Sequence, residues 1–249
     1  MPRYFLEVSY KGTAYAGFQV QENANTIQAE VEKALLIYFR KTISLTGSSR
    51  TDAGVHAAQN FFHFDFDAID KKGLEKAVYH LNAIIPPDIV IQSIYPVSDE
   101  AHSRFDALSR QYEYTIYHQK DPFMADRGYF YPYSLDIELL NEAAEVVLHN
   151  IDFSAFAKRN SQVKTFNCTI HESKWTLQKG VLIYRVKGNR FLRGMVKGLV
   201  GTMLKVGRGK MPVTEFKRII RSGDSSLADF SVPAHGLKLV KVSFAREEK

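Results

Sequence analysis

Hydrophobic and polar positions change period several times along the 249-residue chain, and each change predicts an element. Tyr4 to Tyr10 alternates with a period of two, the signature of a strand with one face buried. Ile27, Val31, Ala34, Leu35, Tyr38 and Phe39 then recur at helical spacing, predicting a helix over Thr26 to Arg40. Thr42 to Thr46 and Phe61 to Phe66 read as two buried strands, the second carrying Phe61, Phe62, Phe64 and Phe66. A helix follows from about Leu74 to Ala83, stopped by Pro86 and Pro87, and Ile89 to Tyr95 reads as a strand. The order β-α-β-β-α-β is the ferredoxin-like pattern.

The remainder repeats that order without repeating residue identities. Arg110 to His118 alternates, with Tyr112, Tyr114, Ile116 and His118 on one face. Asp136 to Leu148 has an apolar stripe and acids at its start, which suits a helix N-terminus. Strands are predicted over Lys164 to Leu177 and Val181 to Lys187 with Lys179-Gly180 as the turn. Helices are predicted over Phe191 to Val206 and over Thr214 to Arg221, with Thr214 as the cap, and a last strand over Leu237 to Phe244. The expected fold class is therefore α+β. It would consist of two ferredoxin-like halves, residues 1–98 and 99–249, whose sheets meet around a central cleft; the boundary falls within Ser98 to Ser109.

Between the strands of the first half lies GSSRTDAGVHA, Gly47 to Ala57. Arg50, Asp52 and His56 crowd three ionisable groups into seven residues of a loop held by rigid neighbours, a common address of chemistry. The competing reading is a turn whose aspartate caps its own backbone.

Composition narrows the choice. With 45% hydrophobic residues the chain can build a sizeable core. It has no stretch approaching 18 apolar residues and no leader pattern at its start, so an unanchored, cytoplasmic protein is expected. A single cysteine, Cys168, allows no internal disulfide, and the eight histidines show no metal-ligand spacing; no metal or cofactor is expected.

Net charge is +6, but its distribution says more. Phe153 to Thr214 holds thirteen Lys and Arg against one acid, Glu172, which points to a polyanionic partner, nucleic acid first. Within this tract Gly194, Gly198 and Gly201 weaken the predicted helix by about 1 kcal/mol each relative to alanine, which implies close approach of another element. Arg190, Arg193 and Lys197 are read on that same helix. Tyr112, read at the start of its strand two residues after Arg110, puts an aromatic ring beside a cation, as an unstacked base requires.

Seven ordered blocks resemble the bacterial tRNA pseudouridine synthase A family: YKGTAYAGFQVQ, GSSRTDAGVHA, LNAIIPPDI, HSRFDALSRQYEY, DFSAF, FLRGMVKGLVGTMLKVGRG and PAHGLKL. Phe18 stands where that family usually has tryptophan, and Lys11 where it often has aspartate. The resemblance implies an isomerase acting on the tRNA anticodon arm, converting uridine to pseudouridine at tRNA positions 38 to 40 without a cofactor, as a homodimer. It implies Asp52 as the catalytic carboxylate, kept ionised by a cation assigned to Lys197, with Tyr112 stacking on the uracil and Arg50 filling the space of the everted base. Arg104, Arg110, Arg190 and Arg193 are the expected RNA contacts, and His56 is expected to be structural. Two other classes remain open on the residues alone: a non-catalytic RNA-binding module, and a hydrolase pairing Asp52 with His56.

Overall fold

Strand β1 (Arg3–Tyr10) is paired antiparallel on both sides, with β3 (His56–Asp65) and with β4 (Ile89–Val97), and its alternation buries Tyr4, Leu6, Val8 and Tyr10. The computed structural model describes residues 1–158 and 163–245. Among these residues it has nine strands and five α-helices, a mixed α+β protein that divides into two compact units. Unit 1 is Met1–Leu108 with the stretch that begins at Leu239, and unit 2 is Ser109–Lys238.

In unit 1 the strand order is β4-β1-β3-β9, where β9 is Leu237–Phe244, and a two-residue strand β2 (Thr46–Gly47) pairs with β3. Helix α1 (Ile27–Phe39) opens at Thr26, whose hydroxyl accepts the Ala29 N–H, and α2 (Lys71–Ile84) opens at Asp70, whose carboxylate accepts the Gly73 N–H. Such caps satisfy donors that a helix start leaves without partners. Leu6, Val31, Leu35, Phe62, Ala77 and Leu81 form the centre of the core.

The strand expected over Thr42 to Thr46 is reduced to Thr46–Gly47. Leu45 has its backbone satisfied from α1 instead: its N–H donates to Glu32 Oε1 at 3.0 Å and its C=O accepts from Gln28 Nε2 at 2.9 Å. Ile43 and Leu45 are still buried, so the apolar pattern is real but the backbone pairs with side chains.

In unit 2, β5 (Ala107–Tyr117) pairs antiparallel with β8 (Val181–Gly188), which pairs with β7 (Ile170–Gln178); β6 (Tyr129–Phe130) runs parallel to β5. The β7–β8 corner has Lys179 at φ 50° and Gly180 at φ 80°, as a two-residue hairpin of this hand requires. Helix α3 (Ile137–Leu148), capped by Asp136, packs on β7 and on α4 (Met195–Gly207) and α5 (Val213–Ser222).

Four expectations are corrected in unit 2. The strand expected from Lys164 starts at Ile170, because the preceding stretch pairs elsewhere: Asp152 bridges Asn167, and the Cys168 N–H donates to Ile151 O. Tyr112 sits mid-strand, since β5 begins at Ala107. Thr214 lies inside α5, whose first turn follows Pro212 with no side-chain cap. The fourth concerns α4. It begins at Met195, after Gly194 at φ 74°, so Arg190 and Arg193 precede the helix and only Lys197 lies on it.

Candidate active site

The Asp52 loop of unit 1 is fixed by backbone contacts that only glycine permits and by a buried polar network. A Cβ on Gly12 would lie 2.0 Å from Val55 O, so the segment after β1 runs directly against the loop. At Gly17, φ is 113° and a Cβ would lie 3.1 Å from Thr51 O, which accepts the Phe18 N–H at 3.1 Å. Gly47 leaves room for the Phe18 ring, which stacks on Phe62 with centroids 4.6 Å apart and 11° between planes. The Phe18 phenyl thus fills a slot between loop and strand.

The polar network centres on Asn60, completely buried on β3. Its amide nitrogen donates to Ser49 O at 2.9 Å and to Tyr10 Oη at 3.2 Å, and its oxygen accepts the Ser48 hydroxyl at 2.8 Å. Tyr10 Oη lies 2.8 Å from Thr51 Oγ1, directly before Asp52. After Asp52, the Val55 N–H closes a turn onto the Asp52 carbonyl at 3.1 Å. Asp52 is half-buried between buried Thr51 and Val55, whereas Arg50 points to an exposed position. Asp52 is therefore held by its neighbours in a partly solvent-accessible position.

His56 is buried, and its Nδ1 accepts the Gly12 N–H at 3.0 Å. That bond places the ring in the frame of the loop. On the far side of the same segment the Tyr15 hydroxyl donates to Asp88 at 2.6 Å; burial and that carboxylate both raise the phenol's pKa, so it stays a donor.

Sequence reasoning passed over Tyr10, Thr51 and Asn60. One signal was present: Asn60 directly precedes the phenylalanine-rich stretch Phe61 to Phe66 that reads as a buried strand, where burial without partners would cost about 1–3 kcal/mol. Its partners lie up to 50 residues away and no local pattern names them.

In unit 2, Tyr112 pairs with Val186 across β5 and β8, is buried, and meets Phe191 edge to face at 5.2 Å and 84°. Arg110 Nη1 donates to Asn189 O at 3.0 Å, and Asn189 Oδ1 accepts the Thr169 N–H. The structure therefore brings Tyr112, Arg110 and the Asn189–Phe191 turn together, with half-buried Arg190 in that turn. Exposed Arg193 follows, its carbonyl accepting the Lys158 N–H. Lys197 is half-buried in the first turn of α4 between buried Val196 and Gly198. Arg104 belongs to unit 1 and is exposed.

The glycines of α4 do admit close neighbours. A Cβ on Gly201 would lie 2.2 Å from Asp229 O, and one on Gly198 would lie 2.7 Å from the Phe230 ring. Only at Gly201 is the neighbour backbone. Thr202 joins them: its hydroxyl donates to Gly198 O and accepts the Asp229 N–H.

The basic tract is less unbalanced than its sequence suggests, because acids from outside it fold back onto it. Arg185 pairs with Glu113 at 2.7 Å, and Lys205 with Asp229 at 3.1 Å. Burial pushes the Glu113 carboxyl up, but Arg185 and Lys238 outweigh it and hold it below the usual range. Asp229 likewise ends below its ordinary value, burial being outweighed by Ser231 and Lys205. Arg159, also counted in the tract, lies outside the described residues. Cys168 is buried and its thiol is pushed up to about 11 by burial. A surface depression of about 420 Å³ in unit 2, bounded by His118, Tyr133, Leu135, Leu177 and Leu182, contains none of the predicted site residues.

Comparison with known proteins agrees along the chain. The family model described as tRNA pseudouridine synthase matches residues 149–245. Proteins named tRNA pseudouridine synthase A are similar over nearly the whole length. That of Parabacteroides distasonis is 41% identical over 99% of this chain and 98% of its own. That of Porphyromonas gingivalis is 42% identical over 98% of each, and that of Staphylococcus aureus 33% identical over 99% of this chain and 93% of its own. On the strength of these full-length matches, the chain belongs to the tRNA pseudouridine synthase A family, a family of isomerases.

Proposed function

We propose that this protein isomerises uridine to pseudouridine in tRNA, at positions 38 to 40 of the anticodon arm, with Asp52 as the catalytic carboxylate. The observation that carries the assignment is the loop itself: a half-buried Asp52 between buried Thr51 and Val55, in a segment fastened by Asn60, Tyr10 and the glycine contacts, within a chain of this family. Building so fixed a frame around one acid suits a group that must meet a reacting atom at a set position.

The reaction breaks the N1–C1′ bond and forms a C5–C1′ bond; the C5 proton leaves and N1 gains one, so no redox partner enters the balance. Asp52 acts either by attack on C1′ or by removing the C2′ proton. Tyr112 stacks on the detached uracil, Arg50 occupies the place of the everted base, and Lys197 supplies positive charge to the substrate. Arg104, Arg110, Arg190 and Arg193 meet phosphates. The enzyme works in the cytoplasm as a homodimer. Its first half, residues 1–98, and second half, residues 99–249, are read as two ferredoxin-like β-α-β-β-α-β repeats.

The test uses unmodified tRNA carrying tritium at uridine C5. Wild type releases label and Asp52→Asn loses at least about 10²-fold in rate while still binding tRNA. Binding without release by either protein would make the chain an RNA-binding module, and free uracil would make it a hydrolase.

A further inference from the structure

Phe105 exposes 75% of its surface, and the loop that carries it is tied down by side chain to backbone hydrogen bonds. The His102 ring lies 4.2 Å from the Phe105 ring, tilted by 36°, and its other neighbour is the His63 ring at 4.5 Å and 62°. His102 Nδ1 accepts the N–H groups of Arg104 at 3.2 Å and Phe105 at 3.4 Å. The His102 backbone N–H donates to Asp106 Oδ2 at 2.6 Å, and the Asp106 N–H returns to His102 O at 3.0 Å. Ser103 is completely buried: its N–H donates to His63 Nδ1, and its hydroxyl lies 3.0 Å from Thr46 O. Thus five residues are locked by side chain to backbone bonds, and the ring they display faces water.

Two further features say what the ring is for. The Arg104 guanidinium lies over the Phe105 ring, 5.8 Å from its centroid, so a flat apolar ring and a cation are presented together. The loop is also anchored to Thr46 in β2, the strand that ends at Gly47, where the Asp52 loop begins. A base joined to a phosphate has the matching chemistry: a π-face that stacks and an anion next to it. A rigid anchor adds affinity because little ordering is lost on binding. Phe123 and Tyr79 are as exposed, yet neither has a cation over its ring among the described residues.

We infer that Phe105 is a stacking platform for an unpaired base of the RNA, with Arg104 meeting the adjoining phosphate. This rests on the reading of the substrate as tRNA. Trp175, the single native tryptophan, is buried, so an indole introduced at position 105 reports from a quiet background. In a titration with unmodified tRNA, Phe105→Trp fluorescence is quenched while wild-type emission barely changes. Phe105→Ala and Phe105→Leu bind tRNA about 5- to 100-fold more weakly, and Phe105→Tyr restores wild-type affinity. Their melting temperatures match wild type, as expected for so exposed a ring.

The inference falls if Phe105→Ala binds tRNA like wild type, if Leu serves as well as Tyr, or if the indole is not quenched. It also falls if Phe105→Ala changes the oligomeric state by light scattering with tRNA affinity intact, which would make the ring a protein contact. Failure of wild type itself to bind tRNA or release tritium would instead remove the reading on which the inference stands.

Discussion

The Asp52 loop of unit 1 and helix α4 of unit 2 both use glycine to bring elements into contact, yet they are held by different forces. Around the loop the neighbours are the Val55 and Thr51 carbonyls at Gly12 and Gly17 and the Phe18 ring at Gly47, and the main fasteners are hydrogen bonds among Asn60, Ser48, Ser49, Tyr10 and Thr51. Around α4 the neighbours are the Asp229 carbonyl at Gly201 and the Phe230 ring at Gly198, Thr202 adds two hydrogen bonds, and apolar burial runs along almost the whole helix, from Met195 through Leu199 and Val200 to Val206. Hydrogen bonds fix direction and dispersion fixes volume. The loop around Asp52 is held chiefly by the first, and helix α4 chiefly by the second.

The comparison makes predictions in order of size. Gly201→Val pushes two methyls at Asp229 O and should cost about 3 kcal/mol, lowering the melting temperature by roughly 6–12 °C by calorimetry. A smaller loss than Gly201→Ala would show that α4 simply shifts. Next, Asn60→Ala removes the hub of the loop network; about 2 kcal/mol of stability should go, and turnover should fall about tenfold or more with tRNA affinity little changed. An Asn60→Ala enzyme with full turnover would break the idea that hydrogen bonds aim Asp52.

The smallest effect is a pH dependence. His63 is pushed down to about 4, first by burial and then by His102 and Arg3, against an ordinary value of 6.5. Because the folded value is the lower one, the unfolded chain binds the extra proton between those limits. His63 therefore contributes stability that is full above about pH 6.5 and is lost as pH falls toward 4. At pH 5.5 the loss is about 1 kcal/mol, and His63→Gln should remove that slope in urea denaturation measured across pH. An unchanged slope would place the acid sensitivity elsewhere.

Much of this was legible from residue patterns. The helices over Ile27–Phe39 and Ile137–Leu148 follow from apolar periodicity and, for the second, from the acids at its start, all local properties. The β7–β8 hairpin follows from Lys179-Gly180 in the same way. The start of α4 was not, because Phe191, Leu192 and Met195 keep an apolar helical spacing while Gly194 turns left-handed and breaks the chain direction. The Asp52 loop stood out through its own residues, but the network that fixes it joins Tyr10, Ser48 and Asn60, which only the folded sheet brings together. Charge counting along the chain overstated the free positive field, since Glu113 and Asp229 reach their basic partners from outside the tract.

The hairpin corner at Lys179-Gly180 has a practical use. A Cβ on Gly180 would touch nothing within 4 Å, and both corner residues already occupy the conformation that ends a ladder. A dye or short epitope grafted there would add chain at a loop tip, where length costs little free energy. It would give unit 2 a handle for surface immobilisation or distance measurement without altering any side chain in its core.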